Sequence, residues 1–211
     1  MSEKKEPLHP EEVVTSIILV RHGHTKPTEE GLLYTDPNAP LTAKGEKQAA
    51  KIATWMSKQN VDILLSSPSK RVLATAEIAG AKLSMQPLIV DDLNEWNVGT
   101  WDGKSYWDIK KNEPAAYARW SHDPIHIAPP SGESIAGLCQ RVKDQIREVI
   151  AAHQGKSICL VTHAGVIRGV LTYALTIPAE NFWRLTIPTG SITKVDFSAT
   201  FATVQFMSTM P

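Results

Sequence analysis

The sequence predicts one α/β domain of three layers, with helices over both faces of a mostly parallel sheet, and three observations carry the prediction. Short apolar runs at 17–20, 63–65 and 157–161 are separated by stretches of helical periodicity, the alternation expected of a parallel sheet. Each run closes on a turn containing Gly23, Pro68 or Gly165. With 211 residues and 42% hydrophobic content, the chain is long and apolar enough to bury one sizeable core.

The elements follow in order. Residues 1–14, charged and proline-containing, read as a flexible arm ahead of a domain over 15–211. After the first strand comes a polar loop, 26–40, rich in Pro and Gly. Thr42 then caps a helix to about residue 58, with Ala49, Ile52, Ala53 and Met56 as its apolar stripe. A strand over 61–65, a helix over 69–81 and a short strand over 88–90 continue the alternation. The segment 103–130, carrying Trp107, Tyr117, Trp120, His122 and His126, breaks it. It reads as a mostly helical, lid-like insertion over the strand ends, or equally as a surface excursion packed by its own aromatics. A capped helix over 134–152, a strand over 157–162 and a β-hairpin over 191–197 and 201–206 complete the chain.

Charge and cysteine usage exclude several function classes. With 22 basic and 22 acidic residues the formal charge is zero, so no overall field recruits nucleic acid or an anionic membrane. The two cysteines, Cys139 and Cys159, make neither a disulfide framework nor a metal spacing. No run is long enough to span a bilayer, and the N-terminus lacks the apolar core of a secretion signal, so a cytoplasmic protein is expected.

The polar residues at the strand ends carry the chemistry. Arg21 and His22 follow the first run, Ser66-Ser67-Pro68 leads into the helix bearing Arg71, and His163-Ala164-Gly165 follows the third run. In open α/β sheets ligands bind at the carboxyl ends of the strands, so two histidines and two arginines are aimed into one site.

Four stretches make a specific resemblance. Arg21-His22-Gly23, the run from Ser66 through Arg71 to Ala76, Leu93-Asn94-Glu95-Trp96 through Gly103, and Thr162-His163-Ala164-Gly165-Val166-Ile167-Arg168 resemble, in order, the signature stretches of the histidine phosphatase superfamily in its phosphoglycerate-mutase-like branch. The resemblance extends from about residue 16 to the C-terminal strands. It implies phosphoryl transfer from a small phosphorylated metabolite through phosphohistidine.

Side-chain physics gives each residue a role once that constellation is granted. Imidazole is a good nucleophile at neutral pH if it stays unprotonated. Like charge from Arg21, Arg71 and His163 disfavours protonation of His22, and a backbone carbonyl on the other ring nitrogen would fix its tautomer. Arg21 and Arg71 grip phosphate oxygens in bidentate forks, which lysine cannot do. His163, protonated in the complex, adds a third donor. The resemblance places the proton donor at Glu95. Thr25, His163 and Ala164 join the two arginines as substrate contacts. No metal or other cofactor is implied, because arginines and histidines supply the positive charge that Mg²⁺ supplies elsewhere. His22 and His24 could suggest a zinc pair, but no acidic or Cys ligand stands near them at metal spacing.

Three positions depart from the family pattern. His24 stands where Glu or Gln is commoner, Thr28 where many members carry Asn, and Ala164 where Gly is usual. The stretch after His163 resembles the phosphatase members more than the mutases. A phosphomutase is the alternative, and a silent phosphate binder a further one; a homodimer could form through an edge strand or the tail hairpin.

Overall fold

The computed structural model describes residues 13–211; the arm expected over 1–14 lies, apart from its last two residues, outside the described residues. Six strands form one sheet: β1 (Thr15–Arg21), β2 (Ile63–Ser66), β3 (Leu88–Ile89), β4 (Ser157–Thr162), β5 (Ile192–Phe197) and β6 (Ala202–Thr209), in the order β3-β2-β4-β1-β5-β6. The first four in that order run parallel, while β5 pairs antiparallel with both β1 and β6. The sheet is thus mixed, with its parallel part carrying the sequence-predicted strand ends.

The continuous apolar runs of β1 and β4 follow from burial on both faces. Ile17 and Leu19 face one core with Ile158 and Leu160, whereas Ile18 and Val20 face the other with Cys159 and Val161. Helices α2 (Ala43–Met56) and α3 (Lys70–Leu83) cover the second face through Ile52, Met56, Val72 and Ala76. Helices α6 (Ile135–Ala152) and α7 (Ala164–Ala174) cover the first through Leu138, Val142, Val166 and Val170. Thr42 caps α2 by accepting from the Gly45 N–H, and Ser134 caps α6 by accepting from the Gly137 N–H, as the capping signals require.

One element was hidden in the expected polar loop: the five-residue helix α1 (Lys26–Glu30), which Thr25 caps and Gly31 ends in the left-handed conformation at φ 68°. Pro and Gly punctuate it at both ends, so it reads as loop. The segment 103–130 forms α4 (Tyr106–Asn112) and α5 (Pro114–His122). Trp120 is buried and packs against Trp96, Trp101, Tyr106 and Tyr117. No helix among the described residues is long and apolar enough to cross a membrane.

Candidate active site

Strand register decides what meets what. Arg21 lies level with Thr162 across β1 and β4, and Ser66 level with Val161 across β2 and β4. The next residues, His22, Ser67 and His163, therefore emerge together at the carboxyl edge of the sheet. All three are buried, as is Arg71 in the first turn of α3.

His22 is held by its own neighbour. Its Nδ1 lies 2.8 Å from the Gly23 carbonyl oxygen, which can only accept, so Nδ1 carries the proton and Nε2 presents a lone pair. Burial, then the charges of Arg21 and Arg71, hold its pKa well below the ordinary histidine range, outweighing the Gly23 bond. Gly23 must be glycine because a Cβ there would stand 2.5 Å from the Gly45 carbonyl oxygen; a Cβ on Gly45 would stand 2.2 Å from that of His24. This backbone contact seats the end of β1 on the start of α2. His24 strengthens it, its Nδ1 lying 2.9 Å from Thr42 Oγ1 and its N–H donating to Gln48 Oε1 at 2.8 Å.

His163 is held the opposite way. Its Nδ1 faces Arg71 Nη2 at 3.2 Å, and a guanidinium can only donate, so Nδ1 accepts and Nε2 carries the proton. Nε2 donates to Ser67 Oγ at 2.8 Å, and Ser67 in turn donates to Asn94 Oδ1 at 3.1 Å. Burial first, then Arg71, His22, Arg21 and distant Arg141, keep its pKa well below the ordinary range. In the free protein His163 is therefore neutral, and the protonated form expected of the complex requires a phosphate dianion to arrive before the proton does. The two rings stand edge to face, their centroids 5.5 Å apart.

Each arginine is anchored through Nη1, and Arg71 also through Nη2 on His163. Arg71 Nη1 donates to the Asp36 carbonyl at 2.7 Å, and its guanidinium lies 4.5 Å from the Tyr34 ring centroid. Arg21 Nη1 donates to the Ile187 carbonyl at 2.5 Å. The Nε of each is buried without a protein acceptor. Buried guanidinium donors of this kind are suited to an anion.

Glu95 reaches the site from the loop after β3. Its Oε1 accepts from the N–H groups of Trp96 (2.9 Å) and Gly165 (3.0 Å), the latter in the first turn of α7. A Cβ on Gly165 would fall 2.2 Å from that oxygen. Behind the loop, Arg141 bonds the carbonyls of Asp92 (2.6 Å) and Asn94 (3.1 Å) while pairing with Glu133 at 2.9 Å. Ala164 opens α7 and, with Glu95, Arg21 and Tyr34, lines a cleft of ≈150 Å³. The other walls are Leu32, Leu33, Trp96, Val98, Gly165, Arg168, Phe182 and Trp183; none comes from 103–130. Thr25 is buried with its hydroxyl engaged to Thr28 (2.8 Å) and Tyr34 (2.7 Å), so it acts on the site through the ring beneath Arg71.

His22, His163, Arg21, Arg71, Glu95 and Ala164 thus converge. Sequence reasoning assigned nothing to Ser67, Asn94, Tyr34 or Arg168; the paired serines at a strand end were the one local hint. Among the described residues no group of three or more His, Cys, Asp or Glu side chains is placed to hold a metal ion.

Fold and site together define the class, a phosphoglycerate-mutase-like phosphomonoesterase. The chain belongs to the histidine phosphatase superfamily (branch 1), whose profile matches residues 17–209. It is 28% identical over 190 residues to the adenosylcobalamin/α-ribazole phosphatase of Escherichia coli K12, covering 90% of this chain and 94% of that one. It is 30% identical to phosphoserine phosphatase 1 of Hydrogenobacter thermophilus, covering 81% of each. Among solved structures, the α-ribazole phosphatase of Shigella flexneri superposes with a TM-score of 0.84 at 28% identity, covering 92% of this chain and 96% of that one.

Proposed function

We propose that this protein hydrolyses small phosphomonoesters without a metal, through a phosphohistidine on His22. The observation that carries the reading is the His22 tautomer: a buried, neutral ring with Nδ1–H on a carbonyl and Nε2 free. In the first step Nε2 attacks phosphorus, the phosphorus–oxygen ester bond breaks, and the leaving oxygen takes a proton from Glu95. In the second, water attacks phosphorus, its proton passes to the Glu95 carboxylate, and the phosphorus–nitrogen bond breaks to return His22 and inorganic phosphate. Because Glu95 Oε1 is tied to two backbone N–H groups, Oε2 is the oxygen for both transfers.

Arg21, Arg71 and His163 stabilise the charge on the equatorial oxygens. His163 enters neutral; once an incoming dianion draws Arg71 Nη2 off Nδ1 and raises the pKa of the ring, Nδ1 gains a proton and becomes a donor. The unpaired Cys139 and Cys159 suit a reducing cytoplasm.

The test is hydrolysis of an aryl phosphate in excess chelator by the wild type and His22→Ala, with alkali-quenched protein assayed for phosphohistidine, whose phosphorus–nitrogen bond survives base but not acid. Chelator-resistant turnover and label, both lost in the variant, are expected; activity abolished by chelator or retained by His22→Ala would overturn the reading. Glu95→Gln should slow alkyl esters far more than aryl phosphates, whose leaving oxygen needs little protonation. Equal losses would remove Glu95 as the acid.

A further inference from the structure

On the face of the sheet opposite α7, helix α2 carries Lys44, Lys47, Lys51 and Trp55 at i, i+3, i+7 and i+11, one stripe of the helix. Lys58 follows just past its end. The acid of this helix, Glu46, stands two residues from Lys44 and so on another side. The stripe lines two cavities of ≈490 and ≈500 Å³, which share Lys51 and Pro211 and so make one groove. Lys44, Lys47, Gln48 and Gly190 help to wall the first, Trp55 and Lys58 the second. Among the described residues no acidic side chain lines either cavity, and none of the four lysines forms an ion pair.

Four unpaired cations along about 21 Å of chain at helical rise make a local positive field although the whole protein is neutral. Each cavity lies in the range of roughly 300–1,000 Å³ that holds small organic ligands, well above the needs of a single ion. Trp55, one turn from Lys51, is fixed edge to face on Phe206 with centroids 5.9 Å apart, so the row of charge ends at an aromatic wall. A planar base on that wall with phosphates along Lys51, Lys47 and Lys44 uses every part of the groove. Inorganic polyphosphate would leave the indole unused. The far end of the groove adjoins the nucleophile. Gly190, at φ 76°, lies so close to Gln48 that a Cβ would stand 3.0 Å from the Gln48 Cβ, and its N–H donates to the His22 carbonyl at 3.0 Å. Gln48 accepts from the His24 N–H at 2.8 Å and donates to the Thr189 carbonyl at 2.9 Å. An occupant that touches Gln48 and Gly190 therefore bears on the backbone on both sides of Gly23.

We propose that this groove is a second ligand site, which binds a nucleoside polyphosphate with its base on Trp55 and its phosphates on the α2 lysines, and which is coupled to His22 through Gln48 and Gly190. The site is separate from the catalytic cleft, and its occupation does not depend on turnover.

The experiment titrates ATP, inorganic tripolyphosphate and adenosine calorimetrically into the full chain, without divalent cations and with orthovanadate present to occupy the phosphoryl position at His22. ATP is expected to bind about 5-fold to 150-fold tighter than tripolyphosphate, the range of one base stacked on an aromatic ring, and adenosine not measurably. Trp55→Leu should bring ATP and tripolyphosphate to equal affinity, and Lys47→Glu/Lys51→Glu should lose both. Lys47→Gln/Lys51→Gln, which removes charge without reversing it, stands in if the glutamate pair does not fold. Equal affinity of ATP and tripolyphosphate in the wild type would reduce the groove to a bare polyanion patch and overturn the proposal. So would binding of neither ligand, or binding that survives the lysine substitutions. The coupling is read as vanadate affinity with and without saturating ATP. A shift of about 5-fold or more in the wild type, absent from the lysine variant, is expected. No shift, or the same shift in both proteins, which is direct competition at His22, would overturn the coupling. Failure of the wild type to hydrolyse aryl phosphate, with ATP binding intact, would count against the hydrolase reading and leave the groove standing.

Discussion

The ends of β1 and β4 deliver the same kind of residue by different means. At the end of β1, His22 is fixed by the carbonyl of its own neighbour, and the strand end rests backbone to backbone on Gly45. At the end of β4, His163 is fixed by side chains, Ser67 on one nitrogen and Arg71 on the other, and the following Gly165 approaches a side-chain carboxylate. The ring proposed to form the covalent bond thus has a tautomer that no substitution of its acceptor side chain can remove. The ring proposed to assist depends on a relay of exchangeable groups, Ser67 and Asn94, that also borders Glu95.

The largest expected difference between the two ends is catalytic. His22→Ala should abolish turnover of an aryl phosphate, whereas His163→Ala, losing one charge-stabilising donor, should cost about 10²–10³ in kcat. Equal losses would erase the distinction between bond-forming and assisting rings.

Next come the glycines. Gly45→Ala forces a Cβ to within 2.2 Å of a backbone oxygen, and should lower stability by about 3 kcal/mol, the upper end of overpacking costs, seen as a lower thermal midpoint. Gly165→Ala meets instead the Glu95 carboxylate, which can swing aside, so activity should fall with far less loss of stability. The reverse pattern would mean that the backbone seat of β1 yields more readily than the carboxylate.

Smaller still is the relay. Ser67→Ala leaves a buried N–H on His163 without its main acceptor, a loss of about 1–3 kcal/mol. If that penalty falls mainly on the transition state, kcat should drop about ten-fold or more, and Ser67→Thr, which keeps the hydroxyl, should restore most of it. Indifference of kcat to Ser67→Ala would show that Arg71 alone sets the ring.

The effects of pH are graded and shared by both ends. Both rings are held neutral in the fold, whereas in the unfolded chain each protonates near its ordinary pKa of about 6.5. Below that pH the unfolded chain binds more protons than the folded one, so stability falls as pH falls. The slope should be about 1.4 kcal/mol per pH unit for each histidine until its folded pKa is reached. Thermal midpoints between pH 7.5 and 5 read it, and His163→Phe should remove one share. For the same reason the acid limb of kcat/KM set by His22 should lie below pH 6.5, and Arg71→Met should move it upward.

Much of this was legible in the sequence because the signals were local. Thr42 and Ser134 mark their helices, and continuous apolar runs mark β1 and β4, since each of those strands is buried on both faces. Gly23, Pro68 and Gly165 announce the turns at which the polar residues sit. What escaped notice depends on residues far apart in the chain. Tyr34 lies beneath Arg71, Asn94 accepts from Ser67, and Phe182 and Trp183 back Arg168, and none of these pairs has a spacing that helix or strand periodicity could reveal. The neutral state of His163 was likewise invisible, because it depends on a donor-only group facing Nδ1.

The six tryptophans of this chain are not optically equivalent. Trp96, Trp101 and Trp120 are buried, whereas Trp183 stands 39% exposed at the wall of the cleft with a guanidinium over its ring. Any occupant that draws Arg168 off that ring alters the surroundings of Trp183 and of Trp96, which lines the same cleft with its ring centroid 5.6 Å from that of Trp183, while Trp101 and Trp120 lie outside the lining. The protein thus contains its own fluorescent reporter of occupancy, readable in the native chain without a label, a coupling enzyme or turnover.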